Sequence, residues 1–287
     1  MRTYSLDDVH ETRKRRDSWW TVYFVDPVAC RVALPVANRT RITPNALTVL
    51  SLVLGAVSAA CLAMNQLVAG AVVFYLSFMI DCVDGKVARL KGTGTPFGLW
   101  LDYVGDRIRV VLCAGGLAYG QYALTGEVAY VVLGAAVAVL DLFRYVNAPQ
   151  MKRVREAVRE ERQGAAGPAA APDDGPLGPA LEPCGPPELE EDTQPLERVP
   201  RAPGFFRRLN RFLARHRVRS HLISGIEFHA AVFVIAPLAG AWALIPLATA
   251  AGALLLANEV FLVYRMWRFT RRHAVASSRE SREHVLV

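Results

Sequence analysis

The chain has 287 residues, 53% of them hydrophobic, with a mean hydropathy of +0.23 and a formal net charge of +7. The apolar residues fall in blocks near the ~20 residues that cross a bilayer, which excludes one large soluble domain and points to an integral membrane protein. Cys30, Cys61, Cys82, Cys113 and Cys184 form no CxxC pair, so neither a zinc site nor a disulfide framework is expected.

Residues 1–18 form a polar tail with the basic run Arg13, Lys14, Arg15 and Arg16, followed by Trp19, Trp20, Tyr23 and Phe24. The tail lacks the apolar core of a cleavable leader, so the first spanning helix is expected to act as the insertion signal. Cations beside clustered aromatics suit a membrane interface. Because the charge behind the pI of about 9.4 flanks apolar spans, lipid headgroups and not nucleic acid are the expected partner. Asp26 and Pro27 read as the N-cap and first residue of a short interfacial helix reaching about Leu34, with Pro35 ending or kinking it. Thr43 and Pro44 repeat that start signal, and the first span covers 45–63.

Further spans are predicted at about 67–83, 98–118, 128–145, 222–238 and 242–264. Between the fourth and fifth lies a Pro-, Gly-, Ala- and Glu-rich stretch, 162–203, read as a disordered linker. After it, GFFRRLNRFLARHRVRS places Phe205, Phe206, Leu209, Phe212 and Leu213 on one helical face and arginines around the other, a pattern for lying on an anionic bilayer. The expected divisions are 1–43 (tail and interfacial helix), 44–149 (spans one to four), 150–221 (linker and basic helix), 222–266 (spans five and six) and 267–287 (tail).

The stretch DCVDGKVARLKGTGTPFGLWLDYVGD, residues 81–106, stands out because carboxylates are costly at membrane depth. Asp81 and Asp84 are three apart and Asp102 and Asp106 four apart, so each pair shares a helical face. The Gly- and Pro-containing 92–96 segment reverses the chain and sets the two acidic faces opposite each other. Four carboxylates in one site repel, whereas two divalent cations would neutralise them and could grip a phosphate.

The connections after spans one, three and five hold no Lys or Arg, while both tails, the 86–91 hairpin and the linker hold many. Both termini are therefore expected in the cytoplasm. On that topology Asp81, Asp84, Asp102, Asp106, Asp141, Glu227, His229 and Glu259 all fall in the cytoplasmic half. A cation or proton transporter using the same aspartates is the alternative reading, but it needs polar residues at several depths. The one-sided layer favours a site open to the cytosol.

Asp81, Asp84, Gly85, Ala88, Arg89, Gly98, Asp102 and Asp106 fit D-x2-D-G-x2-A-R-x8-G-x3-D-x3-D. This resembles the signature of the CDP-alcohol phosphotransferases, membrane enzymes of phospholipid synthesis, and TPNALT with Asn45 and Thr48 is similar to that family's entry into its first span. The 162–203 linker departs from the family pattern. The resemblance implies an all-α membrane fold of six transmembrane helices with an interfacial N-terminal helix, and a transfer from a CDP-alcohol to an acceptor alcohol with release of CMP. It also implies a homodimer, a place in the cell (inner) membrane with the site facing the cytoplasm, and CDP-diacylglycerol as the favoured donor, with a soluble CDP-alcohol and a lipid acceptor left open as the alternative. By the same resemblance Asp81, Asp84 and Asp102 hold two Mg²⁺ or Mn²⁺ ions, and Asp106 is the general base and a further metal contact. Asp84, Gly85, Ala88, Arg89, Asn45 and Thr48 then meet the CDP moiety. The acceptor is left open among glycerol 3-phosphate, inositol phosphate, serine or another alcohol.

Other polar residues carry two readings. Lys86, Lys91, Arg107 and Arg109 are either ligands of an acceptor phosphate or side chains reaching for headgroups. Asp141 with Arg144 reads as an acceptor contact or a structural ion pair. Glu227, His229, Asn258 and Glu259 face the cavity or pack, and for His229 packing is favoured.

Overall fold

The computed structural model describes residues 3–165, 215–218 and 224–285, of which 161–165 and 272–285 are described by backbone alone. The expected linker and basic amphipathic helix fall almost wholly outside the described residues. Within them the chain is helical, and an isolated bridge between Asp17 and Val218 is the one β pairing.

Helix α1 (Leu6–Glu11) starts at a capping box in which Ser5 and Asp8 satisfy each other's backbone N–H. Tyr4 and Asn38 tie this arm to α2 (Asp26–Arg39) by two reciprocal bonds of 2.9 Å. Two sequence expectations for α2 change. The chain enters it through a π-helical turn, Thr21–Val25, so Asp26 is already inside a helix and its carboxylate is free for an ion pair instead of a cap. Pro35 does not end the helix, which continues to Arg39.

Helix α3 (Pro44–Ala63) begins as expected, with Thr43 accepting from the Ala46 N–H. Helix α4 (Leu67–Lys91) runs two turns past the expected end of span two, so the whole DxxDGxxAR motif is helical. Gly92, at φ +63°, ends α4 in a left-handed cap, and Thr95 caps the start of α5 (Pro96–Thr125). Helix α6 (Val128–Ala165) carries the fourth apolar stretch and continues far beyond it, with Pro149 inside. Helix α7 (Gly225–Ala239) contains a second π-helical turn, Ala231–Ile235, and turns at Gly240 into α8 (Ala241–Val285).

Among the described residues, four segments are long and apolar enough to cross a membrane: α3, α4, Val128–Glu160 of α6 and Ala241–Arg271 of α8. Polar residues along α5, and the shorter length of α7, keep those two helices out of this set. Large apolar residues such as Val53, Val72, Val132, Val139 and Trp242 are exposed on the outer faces. Inside, α3 packs on both α4 and α5, α5 on α6, α2 on α4, and α6 on α8. Phe74 of α4 meets Phe233 of α7 at 4.8 Å between ring centroids.

Small residues set the closest approach. A Cβ at Gly116 would fall on the carbonyl oxygen of Ala59, and one at Gly120 on that of Leu62, so α5 lies backbone to backbone against α3. Gly116→Val is expected to destabilise the detergent-solubilised protein by about 1–3 kcal/mol, seen as a lower thermal midpoint. Gly115→Ala, where a Cβ meets nothing within 4 Å, is the matched control. An unchanged midpoint for Gly116→Val would contradict this packing.

Candidate metal centre and substrate cavity

The end of α4 and the start of α5 face one another across the Gly92 turn, and their carboxylates meet there. Asp81, Asp102 and Asp106 each offer an oxygen, and these three atoms lie within 4.8 Å of one another. Asp84 does not join this group: it turns toward α3 and accepts from the Thr48 hydroxyl at 2.5 Å. The expected four-carboxylate cluster is thus three carboxylates with a fourth beside them, because α3 supplies a competing donor. Ser51, one turn past Thr48, donates to Asp81 at 3.1 Å. Three hard, anionic donor groups at this spacing fit a divalent cation such as Mg²⁺ or Mn²⁺.

Two cavities meet at these aspartates. The smaller, of about 30 Å³, is lined by Asn45, Thr48, Asp84, Gly85, Ala88 and Gly98 among others, so the residues expected to meet CDP, except Arg89, surround one space. Asn45 lies directly over Gly98, where a Cβ would overlap its side-chain oxygen. The larger cavity, of about 100 Å³, shares Asp84, Gly85 and Asp102 with the first and adds Asp81 and Asp106. Arg89 lines it, with its Nε donating to the Thr12 carbonyl at 2.9 Å. Its remaining walls are strongly basic, with Arg13, Lys14, Lys86, Arg107, Arg109 and Arg144.

The basic residues of the motif region have partners within the protein. Lys86 is buried and its Nζ lies 2.7 Å from the Asp26 carboxylate. Lys91 donates to the Thr40 carbonyl at 3.5 Å. Arg107 pairs with Asp141, stands 3.6 Å from Asp106, and its guanidinium sits 3.9 Å from the centre of the Tyr145 ring. Arg109 is buried and pairs with Asp106 and, at 3.4 Å, with Asp81. All of these charges find partners because an unpaired charge at this depth is costly.

The expected pairing of Asp141 with Arg144 is replaced by two others. Asp141 holds Arg107 and, at 2.8 Å, His229, while Arg144 pairs with Glu259 at 3.5 Å. His229 is buried beside Phe228 and Phe233 with its ring nitrogen satisfied by Asp141, as a packing histidine would be, and it also lines the larger cavity. Glu227 caps α7 through Ser224 and accepts from the Trp19 N–H at 3.0 Å. Asn147 donates to Glu259 at 3.2 Å. Arg144 lies directly on Gly225, where any Cβ would overlap its guanidinium. Ser51 and Ser77 were missed in the sequence. A signal existed, since Asn45, Thr48 and Ser51 recur every three residues on one face of an otherwise apolar span.

If these aspartates hold divalent cations, Mn²⁺ at 100 times its dissociation constant should stabilise the folded protein by about 2.7 kcal/mol. The check is a thermal midpoint in detergent that rises with Mn²⁺ or Mg²⁺, falls back with chelator, and does not respond in Asp102→Asn. No response in the unsubstituted protein would contradict the fit.

Residues 41–166 match the family model described as CDP-alcohol phosphatidyltransferase. The chain is 32% identical over 108 residues to the archaetidylinositol phosphate synthase of Methanothermobacter thermautotrophicus, which covers 37% of this chain and 51% of that protein. It is 38% identical over 82 residues to the phosphatidylinositol phosphate synthase of Mycobacterium tuberculosis, covering 27% of this chain and 38% of the relative. The chain thus spans about half, or less, of the length of these curated relatives. The crystal structure of Mycobacterium tuberculosis phosphatidylinositol phosphate synthase in apo form aligns with 83% of this chain and 95% of its own, at 22% identity and a TM-score of 0.38. The stretch that matches the CDP-alcohol phosphatidyltransferase model contains both aspartate pairs and every residue lining the smaller cavity.

Proposed function

We propose that this protein transfers a phosphatidyl group from CDP-diacylglycerol to an inositol phosphate, releasing CMP. The observation that carries the reading is the pair of cavities meeting at the aspartates. One is lined by the family motif and suits the nucleotide; the other has basic walls that suit a phosphorylated acceptor. The relatives named above, phosphatidylinositol phosphate and archaetidylinositol phosphate synthases, favour inositol phosphate over serine, which brings no phosphate.

In this reading six helices, α3 to α8, cross the membrane with both termini in the cytoplasm, and the site opens on that side of the cell membrane. The expected homodimer and the divisions at 43, 149, 221 and 266 belong to the same reading. Asp81, Asp84, Asp102 and Asp106 hold two divalent cations, Mg²⁺ or Mn²⁺. Bound there, such ions supply charge neutralisation for the diphosphate and the departing CMP. Asn45, Thr48, Gly85 and Ala88 shape the nucleotide side, where small side chains let the ring approach the helix backbone, and Arg89 meets the diphosphate from the larger cavity. Arg144 and Arg107, fixed by Glu259 and Asp141, hold the acceptor phosphate on the other side.

Asp106 takes the proton of the acceptor hydroxyl as its oxygen bonds to the phosphorus nearest the diacylglycerol. The bond from that phosphorus to the oxygen of CMP breaks, and the electron pair leaves with CMP. A base so placed contributes about 10²- to 10⁴-fold in rate.

The test is to supply the purified protein in detergent with CDP-diacylglycerol, Mg²⁺ or Mn²⁺, and in turn inositol phosphate, inositol, glycerol 3-phosphate and serine, measuring CMP and the lipid formed. CMP is expected with inositol phosphate, together with phosphatidylinositol phosphate, and Asp106→Asn should lower the rate at least about 100-fold. CMP release with serine or unphosphorylated inositol alone would overturn the acceptor, and no CMP with any acceptor would overturn the transferase reading.

A further inference from the structure

Beneath the carboxylates, on the side away from the turn at Gly92, sits a cation that belongs to the protein itself. Arg109 is one helical turn past Asp106 and only 3% exposed. Its two terminal nitrogens divide between the two helices of the site. Nη2 pairs with Asp106 Oδ1, and Nη1 lies 3.4 Å from Asp81 Oδ1 while donating to Ser77 Oγ at 3.4 Å. Asp81 Oδ1 also accepts from Ser51 at 3.1 Å. One oxygen of each aspartate is thereby committed to a fixed donor, and the other oxygen of Asp106 lies 3.6 Å from Arg107 Nη2.

The sequence makes room for this arrangement at one position on α3. A Cβ on Gly55 would stand 2.7 Å from Arg109 Cγ and 3.0 Å from its Cδ, so the arginine stem lies in the space that glycine leaves. The guanidinium Nε is buried with no hydrogen-bond partner among the described residues, so the group is held by its two carboxylates and Ser77 rather than by a full set of bonds. A planar fork that can reach two carboxylates at once is a property of Arg and not of Lys.

We propose that Arg109 is a positioning residue of the metal centre: an internal counter-cation that aims Asp81 and Asp106 and competes with divalent ions for them. The proposal rests on the reading of these aspartates as metal ligands. Two consequences have opposite signs. Holding Asp106 in place supports turnover, while a fixed positive charge beside the ligands weakens metal binding. Arg109 would thus make Asp81 and Asp106 weaker ligands for a divalent ion than the same carboxylates without it. A side chain that merely props the fold would behave differently, since its loss would loosen the site and weaken metal and turnover together.

The experiment is calorimetric titration of Mn²⁺ into the detergent-solubilised full chain without substrate, comparing the unsubstituted protein, Arg109→Met, Arg109→Lys and Gly55→Ala, each checked by thermal melt. Arg109→Met should bind Mn²⁺ roughly tenfold more tightly, the order of the water-screened Coulomb effect of removing one neighbouring unit charge from a divalent ion's site. Arg109→Lys, which keeps the charge, should stay near the original affinity. Gly55→Ala pushes the stem aside and should tighten Mn²⁺ by a smaller factor. In the transfer assay Arg109→Met and Arg109→Lys should both lose kcat, because neither side chain spans both carboxylates. Unchanged or weaker Mn²⁺ binding in folded Arg109→Met, or in Gly55→Ala should the first not fold, overturns the proposal. Absence of Mn²⁺ binding by the unsubstituted protein overturns instead the metal reading on which it rests.

Discussion

The structure depends on one unfavourable juxtaposition: the carboxylates of α4 and α5 are brought together at the end of an apolar bundle. Asp81, Asp102 and Asp106 have oxygens within 4.8 Å of each other, where like charges repel and little water screens them. Everything nearby offsets that repulsion. Arg109 lies under two of the three, Arg107 stands beside Asp106, Ser51 donates to Asp81, and Thr48 draws Asp84 aside. A site that binds divalent cations needs this surplus of negative charge, so the cost is the same feature as the affinity.

The packing of the helices serves that juxtaposition. Gly116 and Gly120 let α5 rest on the backbone of α3, where Gly55 leaves the space for Arg109, while Thr48 and Ser51 of α3 reach the aspartates of α4. Around this rigid centre the basic wall is anchored by carboxylates of its own. Asp141 fixes Arg107, Glu259 fixes Arg144, and Asp26 fixes Lys86, so the positive charges are held in place rather than spread over the surface. Fixed charges lose less side-chain entropy on meeting an anion than mobile ones do.

Much of this was legible in the sequence because it is local. The two aspartate pairs, the Gly92–Pro96 break and the Thr43-Pro44 start are spacing and capping signals within a few residues, and α3, α4 and α5 follow them. What could not be read is where partners lie far apart along the chain. Asp141 meets Arg107 across 34 residues and His229 across 88, and Glu259 meets Asn147 across 112. Arg144, three residues from Asp141, looked like its partner, yet it goes to α8 instead. Pro35 misled for a different reason: it removes one hydrogen bond from α2, and packing of Ala29, Ala33 and Ala37 against the core outweighs that loss. Asp84 looked equivalent to Asp81, and only the position of Thr48 on a neighbouring helix separates them.

In the proposed arrangement the α4–α5 aspartates form a metal centre with Arg109 as its built-in counter-charge. Anomalous diffraction from crystals of the detergent-solubilised protein soaked in Mn²⁺ tests it directly. Mn²⁺ peaks are expected among Asp81, Asp102 and Asp106, with the Arg109 guanidinium still against Asp81 and Asp106. Mn²⁺ found elsewhere, or found there only with Arg109 turned out of the site, would contradict it.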